Sequence, residues 1–133
     1  MTYRRLTLRY AAVRADLSWP FDPVWESEQL RRLLRGRWRP DADVYETAST
    51  IEMTIDLAGV GDEDFEVQLF ANALVIEGCR RLPAAREDAV YHAAGIRQGL
   101  FRVELPLPAP VDPERVEARY DRGLLYVTLA KAA

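Results

Sequence analysis

Two spacings of apolar residues divide the chain near residue 40. Before that point, Leu30, Leu33 and Leu34 recur at the three- and four-residue intervals that share one face of a helix. Asp22 stands where an N-cap belongs and Pro23 at the first helical position. Glu26 and Glu28 come early and Arg31, Arg32 and Arg35 late, an order that complements the helix dipole, and Gly36 offers a stop. The spacing predicts an amphipathic helix near 23–35. About three turns are marginal in isolation, so the leucine face is expected to dock on another apolar surface.

From Asp43 onward the period is two. Ile51, Met53, Ile55 and Leu57 alternate with Glu52, Thr54 and Asp56, as in a strand with one wet face. Phe65, Val67 and Leu69 repeat the pattern. Leu74 and Ile76 follow after an Ala71-Asn72 turn, which predicts a hairpin. Phe101, Val103 and Leu105 form a fourth alternation, Val116 and Ala118 a short fifth, and Leu125, Val127 and Leu129 a last one after Arg122-Gly123. Short strands at close spacing with polar turns predict an all-β antiparallel sandwich, and the lack of strand-helix alternation argues against a parallel α/β sheet. The longest stretch without strong alternation runs from 80 to 96, with one small strand candidate at Val90, Tyr91 and His92. Connections of that length are usually functional or mobile.

Composition refines this picture at a few points. A chain of 133 residues with 49% apolar and 29% charged residues can bury one real core, so an arm (1–40) and one domain (41–131) are expected. No apolar run is long enough to span a membrane, and the first residues lack the apolar core of a signal peptide, so the expected compartment is the cytoplasm. The net charge of −3 conceals an asymmetry: residues 1–40 carry nine arginines against four acids, while the remainder carries nine basic residues against seventeen acidic ones. A basic arm on an acidic body can contact neighbouring bodies, anionic partners or nucleic acid, or simply be solvated. Nucleic acid is the least favoured of these, because the body is acidic.

Catalytic chemistry is not legible. Cys79 and His92 are each the only residue of their type, so neither a disulfide framework nor a Cys/His metal cluster can be assembled within one chain. Lys131 is the only lysine, no glycine-rich phosphate loop precedes it, and Ser18, Ser27 and Ser49 sit in no nucleophile elbow. The Asp62-Glu63-Asp64 run lacks the ligand spacing of a calcium loop and reads as a solvated turn. No enzyme activity, metal or cofactor is expected.

Residues 38–131 resemble the alpha-crystallin domain of bacterial small heat shock proteins. The resemblance rests on Trp38-Arg39-Pro40 with Asp43 to Thr47, on Asp56-Leu57-Ala58-Gly59-Val60, and on Glu63 to Val67. Leu74 to Gly78 with Arg80, Gly99-Leu100-Phe101, and Leu107-Pro108 with Val111-Asp112 extend it. The most specific piece is the closing run from Ala118 to Leu129. The resemblance implies an immunoglobulin-like sandwich that dimerises by strand exchange: Val90, Tyr91 and His92 of one chain would pair with the edge strand Val44, Tyr45 and Glu46 of the other. It implies a holdase that protects unfolding client proteins without ATP, with a groove for apolar segments near Val67, Leu69, Val116 and Ala118. Those four are equally readable as ordinary core.

The sequence departs from the family pattern in places. Gly95-Ile96 replaces a Glu-Arg pair, Val103 stands where arginine is common, and Ala58 replaces a proline. The family's C-terminal pair of isoleucine or valine spaced by one residue is not found after Lys131, so assemblies beyond a homodimer are expected to depend on the arm, through Leu30, Leu33 and Leu34. Leu6-Thr7-Leu8 has the same apolar-x-apolar spacing and is a candidate substitute, with Leu6 and Leu8 as the plug residues; a simple strand or an unstructured arm is the alternative. A monomeric CS-type co-chaperone, docking one specific partner, is the main competing reading.

Overall fold

The computed structural model describes residues 4–6, 9–10 and 37–133. The helix expected near 23–35, with Leu30, Leu33 and Leu34, lies outside them, as does Leu8. The described strands are β1 (Arg4–Leu6), β2 (Arg9–Tyr10), β3 (Ala42–Glu46), β4 (Thr50–Asp56), β5 (Phe65–Leu69), β6 (Ala73–Arg80), β7 (Gly99–Pro106), β8 (Val111–Asp121) and β9 (Leu124–Lys131). They form two sheets, one in the order β1-β8-β9-β4-β3 and the other β2-β5-β6-β7. This is the expected sandwich, antiparallel throughout except where β2 runs parallel to β5.

The two-residue period sets the register. Ile51, Met53 and Ile55 of β4 face Leu129, Val127 and Leu125 of β9 as direct cross-strand partners. In the second sheet Val67 faces Ile76 and Leu69 faces Leu74, while Ile76 and Leu74 in turn face Val103 and Leu105. All of these side chains are buried in one contiguous core between the sheets. A one-residue slip of any strand would turn its apolar row to water, which is why the pairing is well specified.

Three local devices fix the strands in place. Gly78 sits between Phe65 on β5 and Phe101 on β7, and a Cβ built there would stand 2.6 Å from the Phe101 ring and 2.8 Å from Phe65 Cβ. The missing side chain leaves room for the largest residue of the core. Arg122 and Gly123, with φ of 53° and 82°, make the two-residue turn joining β8 to β9, as both positions of such a hairpin turn require. Tyr120 directs its hydroxyl between the carbonyl oxygens of Leu57 and Val60, 2.7 Å from each, and its ring packs edge-on against Phe65. Burial, then the charges of Asp62 and Asp56, push the Tyr120 phenol up, so it stays a protonated donor at neutral pH. It ties the loop after β4 to β8.

One expectation is corrected by the fold. The short strand expected around Val116 and Ala118 is the middle of an eleven-residue strand, β8, whose register shifts between Val111 and Val116. Pro113, with no N–H to give, falls inside that irregularity, where a ladder bond is not needed. Val90, Tyr91 and His92 form no strand within the single chain.

Candidate functional site

The residues singled out in the sequence fall on the two flanks of the sandwich. On one flank lies β3, the last strand of its sheet, with β4 on its inner side and no described strand on its outer side. Its burial differs sharply from that of β4: Val44 is 41% and Tyr45 61% exposed, whereas Ile51, Met53 and Ile55 are sealed. Beside it, Val44, Tyr45, Glu46, Pro106, Leu107 and Pro108 line an open hollow of about 330 Å³. An unpaired strand edge with apolar side chains beside an apolar hollow is a surface suited to strand addition.

The neighbouring edge, that of β7, is bridged at Phe101 by the chain itself. Trp38 runs parallel to β7, donating from its backbone N–H to Leu100 O at 3.2 Å and accepting from Arg102 N at 3.1 Å. Its indole Nε1 donates to Gly99 O and its ring packs against Phe101 at 5.2 Å. Next to it, Glu77 is only 5% exposed although it points away from the core. Arg102 Nε donates to Glu77 Oε1 at 2.8 Å, and the Arg37 guanidinium lies 3.7 Å from the same oxygen. Burial lifts the Glu77 carboxyl above the ordinary carboxylate range, against the Arg102 hydrogen bond and the charges of Arg37 and Arg102; Glu66 adds to the lift. Arg37 is lowered, first by burial.

The long connection between β6 and β7 is anchored at its base. Arg80 Nε donates to Arg97 O at 2.8 Å and its Nη1 to Ala58 O at 3.1 Å, with the guanidinium stacked 4.2 Å over Trp38. Residues 83–98 are all exposed. Val90 is 78%, Tyr91 65% and Ile96 70% exposed, a concentration of large apolar side chains on one loop. Thus the structure places both sets of exchange candidates, Val44 to Glu46 and Val90 to His92, in water within a single chain.

The groove candidates lie on the opposite flank. Val67, Leu69 and Ala118 are buried with the core, and Val116 is partly buried against it. They belong to the outermost long strands of the two sheets, β5 and β8, and those strands carry further partners: β1 on β8 and β2 on β5. Sequence reading missed the buried Glu77 cluster. Its one signal was Glu77 standing between Ile76 and Gly78 in a largely apolar strand. Among the described residues no group of histidine, cysteine and acidic side chains is arranged to hold a metal ion, and no helix is long and apolar enough to cross a membrane.

The described residues form a two-sheet sandwich with one bare apolar edge and an exposed apolar loop. Comparison with known proteins shows where this fold belongs. Residues 43–133 match the model of the Hsp20/alpha crystallin family. The chain belongs to that family, the small heat shock proteins. It is 31% identical over 112 residues to heat shock protein 16 of Schizosaccharomyces pombe, covering 83% of this chain and 78% of that one. Small heat shock protein C2 of Rickettsia felis is 26% identical over 92 residues, and there the match covers 69% of this chain but only 60% of the relative. A solved small heat-shock protein of Xylella fastidiosa, described as having a distinct high-order structure, superposes with a TM-score of 0.64 at 27% identity, over 73% of this chain and 89% of that one.

Proposed function

We propose that this chain is an ATP-independent holdase that works as a two-fold dimer, binding exposed apolar segments of unfolding proteins so that they do not aggregate. The observation that carries the reading is the coexistence, in one chain, of a bare apolar edge at Val44 and Tyr45 and an exposed apolar loop at Val90 and Tyr91. Each is an aggregation hazard alone, and reciprocal pairing of loop 80–96 with β3 of a second copy removes both at once. Membership of the small heat shock protein family supports the same assignment. Client segments would meet the protein on the β5 and β8 flank, near Val67, Leu69, Val116 and Ala118, by backbone pairing that is indifferent to client sequence. Such a protein requires no nucleotide, metal or membrane, and it works in the cytoplasm with unfolding proteins as its partners.

The test is light scattering of a heat-labile client, heated with and without this protein and without ATP, together with the protein's own mass in solution. Suppression at near-stoichiometric ratios with a dimeric or larger mass is the expected result. Untouched aggregation and a monomeric mass would replace this reading with that of a partner-specific CS-type co-chaperone.

A further inference from the structure

From Ala73 to Glu77, β6 is sealed on both of its faces. Leu74 and Ile76 point into the core between the sheets. Ala73, Val75 and Glu77 alternate with them and so point to the outer side. Yet Ala73 is 4% and Val75 1% exposed, and neither belongs to the core cluster. Val75 has Gln68 of β5 and Glu104 of β7 as cross-strand neighbours, Ala73 has Pro106, and Glu104 itself stands half in water. Side chains of flanking strands stand beside this row rather than over it, and the two sheets are the only layers among the described residues.

The course of the chain points to the cover. β2 ends at Tyr10 on the β5 edge of this sheet, and the described chain resumes at Arg37 and Trp38 on the β7 edge. Residues 11–36 thus join opposite edges of one sheet whose inner face is filled by the other. From β2 to β7 is three strand spacings, about 14 Å, and a helix of about twelve residues is about 18 Å long. Where the chain returns, the Arg37 guanidinium lies on the outer face, 3.7 Å from Glu77 Oε1. Glu66 is the direct partner of Glu77 and Glu104 that of Val75, so both stand on the same side. The apolar centre is therefore bordered by three acids, with Arg102 between Glu77 and Glu104. Segment 23–36 carries the complement, Leu30, Leu33 and Leu34 interspersed with Arg31, Arg32 and Arg35. We infer that the outer face of β5, β6 and β7 is the docking surface of segment 23–36 of the same chain, its leucines on Ala73 and Val75 and its arginines toward Glu66 and Glu104. The inference stands apart from the holdase reading, because it concerns only what seals this face.

A thiol placed on the sealed row reports the cover. In the full chain with Cys79→Ser, Val75→Cys is expected to react slowly with a maleimide. Adding Leu30→Ser, Leu33→Ser and Leu34→Ser is expected to speed that reaction at least tenfold, with a urea unfolding curve checking that the sandwich still unfolds cooperatively. Cross-linking then identifies the occupant. Val75→Cys is paired in turn with Leu30→Cys, Leu33→Cys or Leu34→Cys in the same background and oxidised. At least one of the three pairs is expected to form a disulfide within a single chain, running at monomer mass on a denaturing gel and released by reduction.

Fast labelling of Val75→Cys with the leucines intact would overturn the inference by showing that the outer face is open. Slow labelling that the serine substitutions leave unchanged would overturn it too, because the cover would then be something other than the leucine face. Cross-links found only between two chains would make this face an interface between copies and end the same-chain assignment. Should the serine variant fail to unfold cooperatively, the cross-links decide alone, and no product within one chain from any of the three pairs would overturn the docking. None of these readouts depends on suppression of client aggregation, so the holdase reading and this one can fail separately.

Discussion

The two flanks of this sandwich solve the same problem in opposite ways. Each sheet ends in strands whose backbone groups need partners. On the β5/β8 flank, β1 and β2 of the same chain cover both sheets. On the other flank, Trp38 bridges β7 at Phe101, but β3 is left bare with Val44 and Tyr45 in water. An edge closed from within needs no second molecule, and one left open with apolar side chains is useful only if something arrives to cover it. One flank is therefore covered by its own chain, while the other leaves an apolar edge exposed.

The largest effect should come from removing what would cover β3. Replacing residues 86–95 with a Gly-Ser-Gly bridge is expected to raise the dimer dissociation constant about a hundredfold or more, about 3 kcal/mol, as read from mass against concentration. Because 86–95 are exposed throughout, the melting temperature at matched monomer concentration should move by no more than about 3 °C. A truncated chain that remains dimeric would show that the open flank is not the interface.

The next effect concerns how β7 is closed. Arg102→Ala leaves the Glu77 carboxylate buried with a weaker partner, which is destabilising by about 2 kcal/mol, less than a fully buried pair because Arg102 keeps some contact with water. Glu77 titrates higher in the folded chain than its ordinary 4.5 because it is buried. A raised carboxyl contributes most below its unfolded value and loses that contribution as pH climbs through the folded one. Removing the Arg102 hydrogen bond, which pulls Glu77 down, widens that window upward. The stability gap between Arg102→Ala and the parent, measured by urea unfolding, should thus be widest at pH 7 and shrink toward pH 5. A gap that stays constant with pH would mean that Arg102 matters through packing alone.

On the closed flank, Tyr120→Phe removes the hydroxyl that donates to Leu57 and Val60 but keeps the ring against Phe65. The expected loss is about 1 kcal/mol, with faster exchange of amides at 57–64 and no change in dimer mass. A change in mass would contradict the division between flanks.

How much of this was legible in the sequence follows from what a sequence encodes locally. The core strands were readable because Ile51, Met53, Ile55 and their partners alternate strictly, and alternation is a property of one strand. Gly78 and Val103 made sense only afterwards: Gly78 as the space for Phe101, and Val103 as a core residue that leaves Arg102 to face Glu77. Such matches depend on which strands become neighbours, and no period records that. The pairing of β1 and β2 was harder still. Two or three residues carry almost no pattern, and only the Leu6-Thr7-Leu8 spacing pointed to them. Val67, Leu69 and Ala118 read equally as groove or core in the sequence, and in the structure their side chains are buried with the core.

The smallest effect sharpens the open flank most finely. Lys131 Nζ lies 2.6 Å from Glu46 Oε2, an ion pair at the end of β3 with both side chains partly in water. Exposed pairs contribute about 0–0.5 kcal/mol and fade with salt, so Glu46→Gln should leave folding stability nearly unchanged. Glu46 also lines the hollow beside β3. If the partner chain covers only the backbone edge and the apolar side chains of Val44 and Tyr45, the dimer dissociation constant of Glu46→Gln should stay within about threefold of the parent. A shift of tenfold or more, about 1.4 kcal/mol, is more than the intrachain pair can supply and would place Glu46 in direct contact with a charged group of the second copy. The exchange would then be read partly by charge, and raising the salt concentration should weaken the parent dimer while leaving the Glu46→Gln dimer almost unmoved.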